Sequence, residues 1–187
     1  MTTSHIQPYR LHTLESAPEK SRHALETLKK DFGFIPNVAA NMAESPVLMN
    51  AFVGLFEQFH NGTFMGRQRQ ILLLSNAVAN TCPWAVALHS ALSLQEGVDD
   101  DDVRAIRERR LPKGAKDAAL SRFTRALIEK RGRVDERDLA TFRAAGFSHD
   151  QVLEVVVGLA GSTMTNYTAS MTNPALEDLF TAHAWRP

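Results

Sequence analysis

Apolar side chains recur every three to four residues along nearly the whole chain, whereas the strict alternation typical of half-buried strands is nearly absent. One representative face carries five large apolar residues, namely Leu48, Phe52, Leu55, Phe56 and Phe59. We therefore predict an all-α protein of about nine helices. The length of 187 residues suits one domain covering residues 1–187.

Helix start and stop signals set the expected bounds. Ser16 followed by Glu19 has the spacing of a capping box, and Gly33 is a stop signal for the helix that follows. Ser45 with Pro46 predicts a cap and a first helical turn. With Asp135 and Ser148 as further caps and Pro174 as a late start, the expected helices cover about 17–32, 38–43, 46–61, 65–80, 82–96, 100–109, 115–130, 136–146, 149–172 and 174–180.

Charge narrows the classes of partner. The chain has 21 Lys and Arg against 21 Asp and Glu, so its formal net charge is zero, and we expect no binding to nucleic acid or to a membrane surface. The largest local imbalance is an acidic run, Asp99 to Asp102, followed by Arg104, Arg107, Arg109 and Arg110. We interpret this run as a solvated helix whose charges complement the helix dipole, in preference to an anion-binding patch.

Cysteine usage and hydropathy indicate the compartment. Cys82 is the only cysteine, so the chain cannot form an internal disulfide, and a reducing compartment fits it. Residues 1–10 contain no apolar segment typical of a signal peptide. The most apolar stretch, Val152 to Met164, is too short to span a bilayer. We expect a cytoplasmic protein.

The segment around Cys82 carries the candidate chemistry. Cys82 precedes Pro83 at a predicted helix start, where backbone N–H groups and the helix dipole favour a thiolate. Residues 82, 85 and 89 share one helix face, which places His89 two turns beyond the cysteine. The alternatives are a small buried hydrophobe at Cys82 and a hydrogen-bonded core histidine at His89. No other histidine has ligand spacing, so we expect neither a metal site nor a cofactor.

Asn80, Cys82, Trp84 and His89 fall in register with the Asn-x-Cys-x-(Tyr/Trp)-Cys-x-x-x-His pattern of the carboxymuconolactone decarboxylase and alkylhydroperoxidase D-like (AhpD-like) family. The segments 32–37, 144–148 and 165–166 also resemble its longer, peroxidase-related branch. This resemblance implies an AhpD-like helical bundle that associates into a homo-oligomer and acts on a small molecule. It also implies that Cys82, His89 and Gln70 occupy catalytic positions.

Two of those positions depart from the family pattern. Ala85 stands where the family has its second cysteine, the usual attacker of peroxide. Gln70 stands where the family has a proton-relay glutamate, and Gln68 replaces a second common glutamate. A glutamine can form hydrogen bonds but cannot accept a proton near neutral pH.

The first functional hypothesis is a hydroperoxide-reducing oxidoreductase with a degenerate dithiol site. The second is a cofactor-free decarboxylase-like lyase, in which His89 transfers a proton on a small carboxylate or lactone. The third is a binding protein that retains the pocket without catalysis.

Small residues and methionines allow two interpretations. Gly158, Gly161 and Ser162 could line a ligand pocket, but close helix packing, in part at a subunit contact, is the simpler explanation. The methionines, including Met42, Met49, Met65, Met164 and Met171, are expected to fill the core.

Overall fold

The structure is a computed structural model that describes residues 9–187. Most of the N-terminal segment without a signal-peptide pattern therefore lies outside the described residues. The described chain contains nine α-helices and one 3₁₀ helix, and no strand occurs within it. The α-helices are α1 (Glu19–Phe32), α2 (Asn37–Met42), α3 (Pro46–His60), α4 (Gly66–Ala79), α5 (Pro83–Gln95), α6 (Asp100–Arg107), α7 (Ala115–Glu129), α8 (Glu136–Ala144) and α9 (His149–Thr172), and the 3₁₀ helix is Asp178–His183. The predicted all-α class is confirmed.

Helix α4 is the centre of the bundle. Every side chain from Gln70 to Val78 is buried, because α5, α7 and α9 pack around this helix. Helix α3 packs between α1 and α9, and the 3₁₀ helix packs on α5. A helix surrounded on all sides loses the amphipathic pattern of a surface helix, which explains the almost continuous apolar run from Ile71 to Leu74.

Most of the predicted helix caps are present. Gly33 ends α1 in the left-handed conformation (φ 78°), which a residue without a side chain adopts easily. Ser45, Asp135 and Ser148 each accept a hydrogen bond from a backbone N–H three residues ahead. The bounds of α9, His149–Thr172, agree with the prediction.

Two predicted helix starts are wrong. Ser16 does not cap α1, since its hydroxyl accepts the Thr13 N–H (3.0 Å) and the helix begins later, at Glu19. Pro174 does not open a helix either, because the chain after it stays extended until the 3₁₀ helix at Asp178. In both places a local hydrogen bond or a tertiary contact replaces the expected cap.

The interpretation of the charge run as a solvated helix is correct only in part. Asp100 and Arg104 are exposed and pair along α6. Asp102, however, is buried and accepts the Lys113 N–H (2.8 Å). Arg107 donates to the carbonyls of His183 and Ala184, at 2.8 and 3.0 Å, and so ties α6 to the end of the chain.

The methionine prediction is wrong at two positions. Met42 and Met49 are buried in the core, as expected, but Met65 and Met171 are exposed. Among the helices of residues 9–187, none is both long enough and apolar enough to cross a bilayer.

Candidate functional site

The turn between α4 and α5 brings the two halves of the site together. Thr81 has a left-handed backbone (φ 54°), and the next N–H, that of Cys82, reaches back to Ala77 O at 3.0 Å. This arrangement closes the end of α4 in a Schellman-like turn. Pro83 then begins α5 at once, so that α5 runs back along α4. Positions near the start of α4 therefore lie beside positions near the end of α5.

Gln70 and His89 are the pair that this hairpin brings into contact. Both side chains are buried, and His89 Nδ1 lies 3.0 Å from Gln70 Oε1. With the amide placed this way, Nδ1–H donates to the amide oxygen, and Nε2 keeps a lone pair. Among the described residues no hydrogen bond engages Nε2. The imidazole is therefore oriented by Gln70 and keeps one nitrogen available for a ligand.

Burial determines the protonation state of His89. The side chain is 9% exposed, and desolvation, with a smaller contribution from His60, lowers its pKa from 6.5 to about 4. A carboxylate at position 70 would have opposed this effect, because a negative charge beside Nδ1 favours the imidazolium. The glutamine supplies the same hydrogen bond without the charge. His89 is thus a neutral imidazole throughout the physiological pH range.

An inner cavity lies on one side of His89. Its walls come from α1, α2, α3, α4, α5 and α9 and are almost entirely apolar, with His89, Ser162 and Thr165 as the polar exceptions. The centre of a water-sized sphere can move through about 60 Å³ of this space. Such a volume exceeds what one water needs and suits a short alkyl group. Below, the inner cavity denotes this space.

Gly158 and Gly161 line the inner cavity and also lie where α9 packs closely on α3 and α4, as the helix-packing interpretation expects. A Cβ at Gly158 would lie 2.8 Å from the Phe59 ring and 2.9 Å from Leu72. A Cβ at Gly161 would lie 2.7 Å from a methyl group of Leu55, another residue of the cavity wall. The glycines therefore let α9 approach α3 and α4 while leaving space for a ligand.

A second and larger cavity lies on the other side of His89. Its volume is about 540 Å³, and Gln70, Phe32, Phe56 and Leu73 contribute to its wall along with His89. Three acidic side chains and the 3₁₀ helix form its outer part. It shares Phe32, Phe56, Leu73 and His89 with the inner cavity. We refer to this space as the vestibule.

His60 is a vestibule residue that the sequence did not identify. Its Nδ1 donates to Phe56 O at 2.9 Å, and its ring packs on Phe56 with centroids 3.9 Å apart. Desolvation lowers its pKa, although the hydrogen bond to Phe56 opposes the shift. His60 lies 29 positions before His89, so no local spacing linked the two residues.

The structure places Cys82 apart from this pair. Cys82 caps α5 and is 1% exposed. It borders a different groove, of about 370 Å³, whose wall includes Ser170, Leu176 and Trp185 from the C-terminal part of the chain. Cys82 borders neither the inner cavity nor the vestibule.

The predicted thiolate at Cys82 is not supported. Burial raises the pKa of the thiol, and hydrogen bonds from the Ala85 backbone, Ser170 and the Trp84 backbone only partly oppose it. The helix start does supply backbone donors, as predicted, but desolvation outweighs them. Ala85 is fully buried and leaves no side chain with which Cys82 could react.

Trp84 forms the partition between the two regions. It borders both the inner cavity and the Cys82 groove. Its Nε1–H donates to Glu177 Oε2 at 3.0 Å, and Glu177 Oε1 accepts the Asn37 N–H at 2.6 Å. The extended segment after Pro174 therefore fixes this wall by a half-buried carboxylate that joins α2 and α5.

Asn166, whose role could not be derived from the sequence, has a structural one. Its Nδ2 donates to Asn76 Oδ1 at 3.0 Å and to Ser162 Oγ at 3.3 Å. Asn80 also donates to Asn76 Oδ1. This buried amide network ties α9 to α4 and fixes Ser162 in the wall of the inner cavity. Gln68 is likewise structural, since its Oε1 accepts the Met65 N–H (3.1 Å) at the start of α4.

No group of three or more His, Cys, Asp or Glu side chains within residues 9–187 has the arrangement of a metal site.

Fold and sequence both identify the class. The chain has the AhpD-like helical fold. It superposes on an uncharacterized peroxidase-related protein from Ralstonia eutropha JMP134, described as an alkylhydroperoxidase AhpD core, with a TM-score of 0.81. The two sequences are 19% identical, and the match covers 92% of this chain and 93% of that one. A peroxidase-related protein from Silicibacter sp. TM1040 gives a TM-score of 0.76 and 19% identity over 96% and 97% of the two chains. The debrominase Bmp8 gives 0.74 and 17% identity over 88% and 90%.

The sequence comparison agrees. Residues 46–129, from the first residue of α3 to the last of α7, match the sequence model of the carboxymuconolactone decarboxylase family. The family resemblance expected from the residues around Cys82 is therefore confirmed. No curated protein sequence matches this chain.

Proposed function

We propose that the chain binds a small, mainly apolar molecule in the inner cavity and that His89 transfers a proton at the polar end of that molecule. One observation carries the proposal. His89 stands in a wall common to the inner cavity and the vestibule, its Nδ1 is held by Gln70, and its Nε2 has no partner among the described residues. This is the arrangement of an oriented general base with one free nitrogen.

The environment of His89 suits a reaction in which the imidazole takes a proton from the ligand and then returns it. Because burial lowers the His89 pKa to about 4, the imidazole is unprotonated at neutral pH and can accept a proton; it is a weak base, and the imidazolium that forms returns the proton readily. A C–H bond next to a carbonyl group could exchange its proton by this route. The apolar wall excludes water that would otherwise compete for the proton.

The hydroperoxide-reducing hypothesis receives less support from the geometry. Position 85 carries a methyl group, position 70 carries an amide, and Cys82 is buried in a separate groove. A dithiol cycle needs a thiolate attacker and a partner thiol, and this chain has one cysteine. Hydroperoxide reduction by this protein therefore stays a prediction that requires its own test.

A relative supports the type of ligand. A variant of the debrominase Bmp8 was solved in complex with 2,3,4-tribromopyrrole, at 17% identity to this chain and a TM-score of 0.74. That ligand is a small, largely apolar ring. For the present chain we take from it the size class of the ligand and not the reaction.

A β,γ-unsaturated five-membered lactone is a suitable probe of the proposed chemistry. Its proton at the carbon next to the carbonyl should exchange in D₂O when the protein is present, and NMR would follow the exchange. His89→Asn should reduce the exchange rate by roughly 100-fold, the usual contribution of a positioned base. His149→Asn, which changes an exposed histidine at the start of α9, is the matched control and should have no effect.

A second variant tests the cavity itself. Gly161→Ala would force Leu55 into the inner cavity, because the added Cβ lies 2.7 Å from its methyl group. We expect weaker binding of the lactone, measured from its NMR line broadening. If Gly161→Ala binds the lactone as tightly as the wild-type protein does, the ligand lies elsewhere and the proposal is wrong.

We also propose that the chain forms a homo-oligomer through the outer face of α9. Leu153, Val156, Tyr167 and Met171 are exposed there, and an apolar groove runs along this face. Such a face on a second copy would be self-complementary. Light scattering should give a multiple of 20.7 kDa, and Val156→Asp should shift it toward one chain, whereas Leu11→Asp, on another exposed segment, should not. A wild-type particle of a single chain at micromolar concentration would contradict this proposal.

A further inference from the structure

The charge of the vestibule is strongly one-sided. Asp31, Glu57 and Glu96 line it, and no Lys or Arg does. The ion pairs formed by the described residues include none of these three carboxylates. Lys29 and Lys30, which neighbour Asp31 in sequence, border a different surface groove. The acids therefore lack the cations that usually accompany carboxylates converging on one cavity.

The positions of these acids on their helices are unfavourable. Asp31 lies in the last turn of α1, Glu57 in the last turn of α3, and Glu96 at the C-cap of α5. A helix C-terminus carries the negative end of the macrodipole and favours cations over anions. Three helix ends and three carboxylates thus contribute negative potential to one space. Glu96 has a compensating contact, because its carboxylate packs over Gly66 in the first turn of α4.

Aromatic rings form a large part of the vestibule wall. Phe32 and Phe34 meet edge to face with centroids 6.3 Å apart, and Phe32 lies 6.3 Å from Phe56. Phe180 of the 3₁₀ helix extends the cluster, 6.1 Å from Phe34. The faces of such rings attract cations, and the combination of ring faces with carboxylates is typical of sites that recognise organic ammonium groups.

From this placement we propose that the vestibule binds the ammonium group of a small apolar amine, whose carbon skeleton extends along Phe56 and Leu73 toward the inner cavity. This inference rests on the proposed function, since it assigns the charge of the ligand at the same site. It replaces the small carboxylate considered from the sequence. A carboxylate would meet three like charges and three negative helix ends, and no Lys or Arg is among the lining residues; Arg69 contacts the backbone of His60 from outside the wall.

His89 fits this ligand. Its free Nε2 accepts a hydrogen bond, and an ammonium group or a neighbouring polarised C–H can donate one. A neutral imidazole also avoids the repulsion that an imidazolium would exert on a cation. Charges of both signs act on His60 in this part of the vestibule: Arg69 lowers its pKa, and Asp31 and Glu96, with smaller effects, oppose that lowering.

Three ligands of similar shape but different charge distinguish the effect of ligand charge on affinity from the effect of ligand size. Benzylamine is a cation at pH 7, benzyl alcohol is neutral and benzoate is an anion. Titration calorimetry of the full chain at low ionic strength should show benzylamine binding roughly tenfold more tightly than benzyl alcohol, as expected from cation–π and charge attraction. Benzoate should bind at least roughly tenfold more weakly than benzyl alcohol, for the opposite reason.

A matched pair of variants assigns the effect to the vestibule. Asp31→Asn with Glu57→Gln should remove the preference for benzylamine and leave the affinity for benzyl alcohol unchanged. Glu26→Gln with Glu136→Gln changes the net charge equally, at exposed acids outside the vestibule, and should preserve the preference.

The outcomes are distinct. Benzoate binding as tightly as benzylamine, or an equal loss of the preference in both double variants, would overturn the ammonium site while leaving the cavity proposal intact. If benzyl alcohol binding is absent or is insensitive to Gly161→Ala, the cavity proposal itself fails, and the ammonium inference falls with it.

Discussion

Cys82 and His89 lie seven positions apart on one hairpin, yet their environments differ in nearly every respect. His89 has a defined polar partner and borders two cavities. Cys82 is covered by the chain after α9, and burial raises its pKa. Both groups are neutral at physiological pH, but only His89 combines orientation with access for a small molecule.

This difference shows which properties of a site can be inferred from a match to a family motif. The hairpin and its Schellman-like turn keep positions 70 and 89 adjacent whichever residue occupies position 70. A glutamine at position 70 therefore keeps the hydrogen bond to His89 that a glutamate could form, but not its charge. A motif match supports a statement about geometry more strongly than one about reaction.

The largest expected effect concerns the protonation of His89. Its pKa is lowered from 6.5 to about 4, a difference of about 2.5, which corresponds to ~3 kcal/mol. The unfolded chain binds this proton below pH 6.5, and the folded chain binds it only near pH 4. The free energy of unfolding should therefore fall by about this amount as pH decreases from 6.5 to 4.

Urea unfolding at several pH values measures this dependence. In His89→Gln the slope between pH 6.5 and 4 should flatten, whatever its absolute stability. His60→Gln is the matched control: His60 is only half-buried, and its removal should flatten the slope less. Equal slopes in wild type and His89→Gln would mean that His89 is solvated and that the contrast with Cys82 is wrong.

The second prediction tests whether Cys82 and the Gln70–His89 pair can act together as one catalytic site. The protein as given should show negligible turnover of alkyl hydroperoxides with a dithiol donor. Ala85→Cys places a thiol one turn from Cys82, so a disulfide becomes possible. Because position 85 is buried, the larger side chain should cost ~1–3 kcal/mol of strain. Adding Gln70→Glu should raise turnover by roughly 100-fold, because it restores a charged partner for His89.

Peroxide consumption with a coupled dithiol assay gives the rates, and mass spectrometry gives the disulfide. Glu26→Gln in the Ala85→Cys background controls for a remote change in charge. Rapid turnover by the unmodified protein would show that Cys82 reacts with peroxide without a second cysteine. The contrast between a buried Cys82 and an accessible His89 would then be wrong. A double variant that forms the disulfide but stays inactive would show that the retained geometry serves other chemistry.

The fold followed from the sequence because its signals are local. Gly33, Ser45, Asp135 and Ser148 determine helix ends through contacts with residues a few positions away. A predicted helix start was wrong where contacts between residues far apart in the sequence determine the local structure. The segment after Pro174 stays extended because Glu177 bonds Trp84 and Asn37, which no local pattern reveals.

The site was predictable only along the hairpin. Gln70 and His89 were identified because the family pattern spans both. His60, Asp31 and Glu57 were missed because they come from α1 and α3, and only packing brings those helix ends to the vestibule. A signal did exist, since acids in the last turn of a helix are locally unfavourable. The burial of Cys82 had no comparable signal, because the residues that cover it lie some 90 positions later.

The smallest expected effect concerns access to Cys82. Since burial raises its pKa, alkylation by iodoacetamide should be slow at pH 8 and should accelerate in urea, unlike that of an exposed thiol. Trp185→Ala should speed labelling roughly tenfold, because it removes part of the groove wall and the hydrogen bond from Trp185 Nε1 to Arg107 O (3.2 Å). Tyr167→Ala, an exposed aromatic on the outer face of α9, is the control and should leave the rate unchanged. Mass spectrometry of the labelled protein gives both rates. Fast labelling of the wild type at pH 8 would mean that the helix start, and not burial, governs the thiol, and Cys82 would then regain the reactivity that the sequence suggested.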